Sequence, residues 1–296
     1  LPSRCRAVEL KQACYSGTAG LQMAAAMVQR GASRKALVIA ADIARYDLGS
    51  PGEATQGAGA VAMVVGAGPS LIALDPEAGA FTDDVMDFWR PNYRGEALVD
   101  GKYSTQVYIR ALLASWDAYR EASGRSLDDF ARFCYHIPFT RMAAKAHRQL
   151  LKHARGAAPS ADEIDPPLAD SLHYSREAGN CYAASMYVGL ASLLDTAGED
   201  LAGERIGFFS YGSGCVGEFF SGTVRPGARD STRAERHRNL LDERTELSYQ
   251  QYEDIYNLAF PEDGGDHTFA QYRTGPFRLA GISQHKRLYE KLEDES

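Results

Sequence analysis

A layered α/β fold is what this sequence of 296 residues predicts, and three observations carry the prediction. Apolar runs of strand length, such as Ala36–Ala41 and Ala58–Val65, alternate along the chain with segments of helical periodicity. Those runs lack apolar/polar alternation, as strands covered on both faces do. A Gly-x-Gly-x-Val pattern occurs at Gly57–Val61 and again at Gly212–Val216, each time between two strand-like runs, so the same strand–turn–strand device appears twice.

Taken in order, Ala7–Leu10 reads as a short strand leading into Lys11–Thr18. A helix then runs to about Arg30, with Leu21, Ala24, Ala25 and Val28 inward and Gly31 ending it. Ala36–Ala41 is a buried strand, Ile43–Gln56 a loop and Gly57–Val65 a second buried strand. Val85–Asp100 is irregular, since Pro91 breaks any helix. Ser104–Ala122 is the clearest helix: Val107, Tyr108, Ala111, Leu112, Ser115 and Tyr119 recur at helical spacing, and Gly124 closes it. Phe130–His136 is a strand, and Pro138 opens a helix to about His153 with Met142, Ala146 and Leu150 inward. Gly156–Pro167 reads as a solvated connection and Cys181–Thr196 as a buried helix. Arg205–Tyr211 and Val216–Val224 are strands flanking Gly212-Ser213-Gly214. The charged tail from Arg225 holds one late strand, Phe277–Ile282.

The formal net charge of −7 speaks against a general nucleic-acid binder, which carries a basic surplus. The longest apolar runs fall short of a membrane span. Leu1–Glu9 mixes Arg4, Arg6 and Glu9 without the apolar core of a secretory leader. The five cysteines (Cys5, Cys14, Cys134, Cys181, Cys215) are odd in number and show no CxxC spacing. Reduced thiols in a cytoplasm fit this better than a disulfide framework or a zinc site. His-Glu-x-x-His, dinucleotide-binding and Walker patterns are absent, so neither a metal nor a redox cofactor is expected.

Cys14 stands at a strand-to-helix junction, where the helix dipole is expected to lower a thiol's pKa. As a lone cysteine it also reads as a small core residue, the usual role of such a side chain, and Cys5, Cys134, Cys181 and Cys215 are all read as core. His136 ends a buried strand, where active-site groups of α/β sheets emerge, or it is a satisfied core histidine. Asn180, after Gly179, is either an N-cap or an orienter of a substrate carbonyl. Gly212-Ser213-Gly214 is a tight turn or a source of backbone N–H donors for a thioester oxygen. Arg141, Lys145, Arg148 and Lys152 form a solvated helix face that could meet phosphates. Cys14, His136 and Asn180 together suit cysteine proteolysis or thioester acyl transfer. Cys14-Tyr15-Ser16-Gly17 lacks the papain-type signature, which favours acyl transfer.

Longer stretches then carry a resemblance. Lys11-Gln12-Ala13-Cys14-Tyr15-Ser16-Gly17-Thr18-Ala19 resembles the nucleophile segment of hydroxymethylglutaryl-CoA synthases. Gly52–Met63, Asp87–Pro91, Leu98–Gly101, Tyr135–Phe139, Gly179-Asn180 and Phe209–Gly214 are similar to bacterial members, in order from about Val8 to Val224. The resemblance implies a thiolase-like α/β fold of two similar halves in five layers, αβαβα, as a homodimer. Residues 1–125 would hold what is present of the first half, with the nucleophile, and 126–296 the second half with His136, Asn180 and the tail. It implies that Cys14 accepts acetyl from acetyl-CoA and that the resulting enolate attacks acetoacetyl-CoA. His136 and Asn180 would hold the acetoacetyl group, backbone N–H groups of Cys14 and Ser213, beside Gly212, would stabilise oxyanions, and Arg141 and Lys145 would meet CoA phosphates. The family's general base is a glutamate ahead of the cysteine. Only Glu9 precedes Cys14 and its context does not match, so that base is expected in an N-terminal part missing from this chain. Glu53–Met63 and Asp87–Pro91 look closer to the mevalonate type. Ala146-His147-Arg148 and Ser213-Gly214-Cys215 resemble the polyketide β-branching type, whose substrate rides on an acyl carrier protein. A non-catalytic thiolase-fold partner is the alternative from a different class.

Overall fold

The computed structural model describes residues 3–31, 34–94, 96–269 and 275–292. Its contacts divide the chain into two units, Leu1–Asp242 and Glu243–Ser296.

The first unit opens on an irregular segment, not the strand expected at Ala7–Leu10, where no run of backbone pairing forms. Helix α1 (Ser16–Gln29) follows and packs on a two-stranded antiparallel sheet of β1 (Lys35–Ile43) and β2 (Ala58–Gly66). The expectation of strands covered on both faces is corrected here. Val38 and Ala40 are buried, whereas Leu37, Ile39 and Ile43 of β1 and Val64 of β2 are exposed, because no described residue packs on that outer face.

Strand β3 (Ile72–Thr82) had no signal in the sequence. It carries Asp75, Pro76 and Glu77 in mid-run, and its register with its partner shifts between Leu74 and Ala78, so the bulge absorbs the proline. Among its described residues the expected irregular stretch forms two short strands, β4 (Phe88–Trp89) and β5 (Leu98–Val99), which pair with each other. Helix α2 (Gly101–Ser123) starts three residues earlier than its apolar periodicity, because Asp100 caps it by accepting from the Tyr103 N–H at 3.0 Å. Strand β6 (Arg132–Tyr135) precedes α3 (Thr140–Arg155). The connection after it is not wholly solvated: it folds into α4 (Ala161–Ile164) and α5 (Pro166–Ala169) and buries Ile164 and Leu168. Helices α6 (His173–Ala178) and α7 (Ser185–Thr196) lead to β7 (Arg205–Gly212) and β8 (Val216–Val224), and α8 (Ala234–Asp242) closes the unit.

The main sheet has the order β3-β8-β7-β6, antiparallel except for the parallel β6–β7 pair. One face carries α2 and α3, burying Leu112, Trp116, Tyr119, Met142 and Leu150 against Phe133, Tyr135, Phe209 and Phe219. Each fully buried side chain of this size contributes roughly 1.5–3 kcal/mol. The other face meets α1 and α7, which also carry β1 and β2, so the order of layers is β-α-β-α. The second unit contains α9 (Tyr249–Tyr256) and a sheet in the order β11-β10-β9, with β9 His267–Thr268, β10 Phe277–Ser283 and β11 Lys286–Lys291. The expected late strand is β10. Among the described residues no helix is long and apolar enough to cross a membrane.

Candidate active site

Cys14 sits in a tight turn immediately ahead of α1. The Tyr15 N–H donates to Gln12 O at 3.1 Å. Ser16 Oγ donates to Ala13 O and accepts from the Gln12 N–H, both at 2.7 Å. Ala13 holds φ +45°, a left-handed conformation that costs a non-glycine residue about 1–3 kcal/mol and persists only where its surroundings enforce it. The thiol is buried, and its pKa is raised far above the ordinary thiol range, first by burial and then by the charges of Asp42 and Asp87. The lowering expected from the helix end is therefore overturned, because desolvation and two nearby carboxylates outweigh a partial dipole.

Neither carboxylate was anticipated from the sequence. Asp42 lies inside β1, where its Oδ2 accepts from the Ala183 N–H at 3.1 Å, and burial raises its pKa. Asp87 is completely buried. Its Oδ2 accepts from Tyr211 Oη at 2.6 Å and from Ser104 Oγ at 3.0 Å, and its Oδ1 accepts from the Gly214 N–H at 3.0 Å. Asp87 thus fixes the turn Gly212–Cys215 from below, and half-buried Ser213 lies in that turn. The signal for Asp42 was a carboxylate at the end of an apolar strand run. Asp87 lay within a motif that resemblance had already singled out.

His136 follows β6 directly. Its N–H donates to Phe209 O at 2.7 Å and its carbonyl accepts from Tyr108 Oη at 2.8 Å, which pins the backbone on both sides. Burial pushes the imidazole down to about 4, so it is neutral near pH 7. Asn180 is not the expected N-cap, since Cys181 and Ala184 occupy the cap positions of the two helices after it; it organises the loop instead. Its Oδ1 accepts from the Tyr182 N–H at 2.9 Å and from Ser185 Oγ at 3.0 Å, while its Nδ2 donates to Tyr46 Oη at 3.2 Å. Tyr46, Phe88 and Tyr182 form an aromatic cluster with centroids 5.8–6.2 Å apart, and both tyrosine hydroxyls lie near enough to the neutral Cys14 thiol for its ionisation to be coupled to theirs. Cys14 and Asn180 therefore share one environment. His136 reaches it through packing: its ring lies 6.4 Å from that of Tyr108, which lies 5.0 Å from that of Tyr211, the residue bound to Asp87. No hydrogen bond joins the three directly.

Arg141 and Lys145 are exposed on α3. Lys145 borders a groove of about 430 Å³ between α2 and α3, lined also by Thr105, Ile109, Arg110, Leu113 and Gln149; Arg141 does not line it. Glu9 pairs with Lys11 on the surface at 3.3 Å and takes no part in the site. Cys134, Cys181 and Cys215 are buried as expected, whereas Cys5 is exposed because the segment around it packs on nothing. Among the described residues no group of three or more His, Cys, Asp or Glu is arranged to hold a metal.

Two buried histidines give a pH prediction. His147, whose Nδ1 lies 2.9 Å from Tyr135 Oη, is also pushed down to about 4, first by burial. An unfolded histidine takes its proton near 6.5, so between pH 6.5 and 4 the unfolded state binds more protons and stability falls with falling pH. Each group accounts for a loss on the order of 3 kcal/mol by pH 4. Denaturant unfolding of H147Q at pH 7 and pH 4.5 should show a markedly smaller acid loss than the parent. An equal loss in both proteins would refute the role of His147.

The chain also matches known proteins. Residues 4–70 match the model described as hydroxymethylglutaryl-coenzyme A synthase N terminal, and residues 72–165 and 148–260 match its C-terminal counterpart. The chain belongs to the hydroxymethylglutaryl-CoA synthase family. A hydroxymethylglutaryl-CoA synthase of Enterococcus faecalis is 43% identical over 258 residues, covering 87% of this chain and 67% of the relative. The polyketide biosynthesis 3-hydroxy-3-methylglutaryl-ACP synthase PksG of Bacillus subtilis is 37% identical over 273 residues, covering 86% and 64%. The chain thus spans about two thirds of the length of these curated relatives. The solved structure of MvaS in complex with 3-hydroxy-3-methylglutaryl coenzyme A is 39% identical, with a TM-score of 0.90 over 98% of this chain and 75% of that one. This likeness makes the fold thiolase-like α/β, as the resemblance implied, with four of the five expected layers (β-α-β-α) among the described residues, and hydroxymethylglutaryl-CoA synthases are its relatives in both sequence and structure.

Proposed function

We propose that this protein is an acyl-condensing enzyme, an acyltransferase whose acyl group becomes an alkyl group on transfer, making hydroxymethylglutaryl-CoA for the mevalonate pathway. The Cys14 sulfur attacks the carbonyl of acetyl-CoA, its proton leaves with the CoA thiol, and acetyl-Cys14 forms. Loss of an α-proton gives an enolate whose carbon attacks the ketone of acetoacetyl-CoA, and water then cleaves the bond to Cys14. Neutral His136 can donate a hydrogen bond to the ketone oxygen without carrying a charge, and Asn180 positions the same group. Backbone N–H groups of Cys14 and Ser213, on turns that meet where Gly212 abuts Gln12 and Tyr15, serve the thioester oxyanions. Arg141 and Lys145 take the CoA phosphates; the groove beside Lys145 supports the placement of that residue alone. The α-proton needs a base, and none of the residues assembled around Cys14 is given that role.

The observation that carries this reading is the packing of the Cys14 turn directly on the Gly212-Ser213-Gly214 turn, itself locked by Asp87. We also read residues 1–125 and 126–296 as two related halves, and the enzyme as a cytoplasmic homodimer without a metal or organic cofactor. The relative PksG favours a second reading, in which the ketone is borne on an acyl carrier protein.

Mass spectrometry after brief exposure to acetyl-CoA tests both. One acetyl group on the Cys14 peptide, discharged by acetoacetyl-CoA, is the expected result. An acetyl group that acetoacetyl-CoA leaves in place would move the assignment to the carrier-bound ketone. Acetyl on another residue would overturn it.

A further inference from the structure

Behind Cys14, away from the aromatic cluster, the middle layer meets the main sheet through polar side chains. Tyr15, at the N-cap position of α1, and Thr18 and Gln22 within it are spaced i, i+3, i+7 and lie on one side of the helix. Thr18 Oγ1 donates to Ser210 Oγ at 2.7 Å and lies 2.8 Å from Tyr187 Oη on α7. Glu218, paired directly across from Ser210 in the β7–β8 register, is only 5% exposed. Its Oε2 accepts from Tyr15 Oη and its Oε1 from Gln22 Nε2, both at 2.5 Å. Among the described residues no cation pairs with it.

A buried carboxylate satisfied only by neutral donors is costly, and a seam of this kind is less stable than apolar packing of the same volume. Burial raises the pKa of Glu218 accordingly. A layered α/β protein ordinarily puts apolar residues here, so the seam is retained for what it fixes rather than for stability. What it fixes is adjacent to the nucleophile. Tyr15 follows Cys14, its N–H closes the turn on Gln12, and its Cβ rests on Gly212. The Ala13 conformation at φ +45° is held only if that turn is tied down. The Tyr15 ring carries the tie across to β8.

We propose that Glu218 is a positioning residue for Cys14, anchoring the nucleophile turn through the Tyr15 hydroxyl while Gln22 fixes the other carboxylate oxygen. This rests on the reading of Cys14 as the acyl carrier. In functional terms, Glu218 aligns sulfur and oxyanion donors for attack and touches neither substrate.

The test uses the full chain as E218A, Y15F, the double variant and E218Q, each confirmed as folded by thermal melting well above the assay temperature. Single-turnover acetylation of Cys14 by acetyl-CoA is expected to slow about tenfold or more in E218A and Y15F. The half-saturating acetyl-CoA concentration should stay within about twofold, since only alignment is lost. The double variant should be no slower than the slower single one, and E218Q, which keeps an acceptor for Tyr15, should recover to within about threefold. Parent-like acetylation in folded E218A and Y15F, or losses that multiply in the double variant, would overturn the proposal. If the parent itself takes no acetyl group, the functional reading fails separately, and alkylation of Cys14 by iodoacetamide decides the positioning role. Faster alkylation in E218A and Y15F then supports it, and equal rates in all variants overturn it.

Discussion

Replacing Cys14 by Ala is expected to lower turnover by roughly 10⁴-fold or more, because the proposed covalent acyl transfer would lose its nucleophile and not merely a favourable contact. No neighbouring thiol is placed to take over. Cys134 and Cys181 are fully buried, and the Cys181 sulfur is committed to Gly179 O at 3.6 Å. Cys215 ends the Gly212–Cys215 turn and is itself enclosed. Serine should not rescue the reaction, since burial and the charges of Asp42 and Asp87 already disfavour deprotonation of a thiol at this position. A hydroxyl is far harder to ionise. Labelled acetyl-CoA followed by peptide mass spectrometry checks this, and label persisting in C14A would sink the assignment. Affinity for CoA should remain within about threefold by calorimetry, because the removed sulfur is one atom of a large contact. A lost affinity would mean that the substitution had collapsed the turn.

The same residue marks the limit of reading the sequence. Its segment, the strands β7 and β8, helices α1 to α3 and the turn at Gly212 were all legible, because local periodicity and long motifs specify them. Asp42 and Asp87 were not, since their significance depends on a distance to Cys14 across the fold that no spacing in the chain encodes. The raised pKa of the thiol follows from those two carboxylates together with burial, so a local rule about helix ends gave the wrong sign. Strand β3 was missed for a different reason. Its polar and proline-containing centre is tolerated at a bulged sheet edge, and being an edge is a tertiary property. The exposed outer face of β1 and β2 likewise depends on which elements pack against them, so apolarity alone could not separate one covered face from two.

The repeated Gly-x-Gly-x-Val pattern acquires its physical reason in the structure, and with it a pair of predictions that differ in kind. A Cβ on Gly212 would lie 2.5 Å from Gln12 O and 2.7 Å from the Tyr15 Cβ, inside the nucleophile turn. A Cβ on Gly57 would lie 2.1 Å from Ala178 O and 2.8 Å from the Asn180 N, inside the segment that presents Asn180. Each first glycine therefore lets the backbone of the segment that bears Cys14 or Asn180 rest on the opposing element, and neither segment can yield through a flexible side chain. G212A and G57A should each lose roughly 1–3 kcal/mol from overpacking. Their activities should part company. Displacing the Cys14 turn by a fraction of an ångström in G212A is expected to slow acetylation about 10²-fold. In G57A, acetylation should stay within about threefold of the parent, while condensation with acetoacetyl-CoA falls about 10²-fold, if Asn180 holds the second substrate as proposed. Gly101, with nothing within 4 Å of its Cβ position, provides the control, and G101A should change neither step. Separate rates for acetylation and for discharge of acetyl-Cys14 decide the matter. If both glycine variants lost acetylation equally, Asn180 would belong to the acetyl site as well, and the division of labour between the two segments would have to be abandoned.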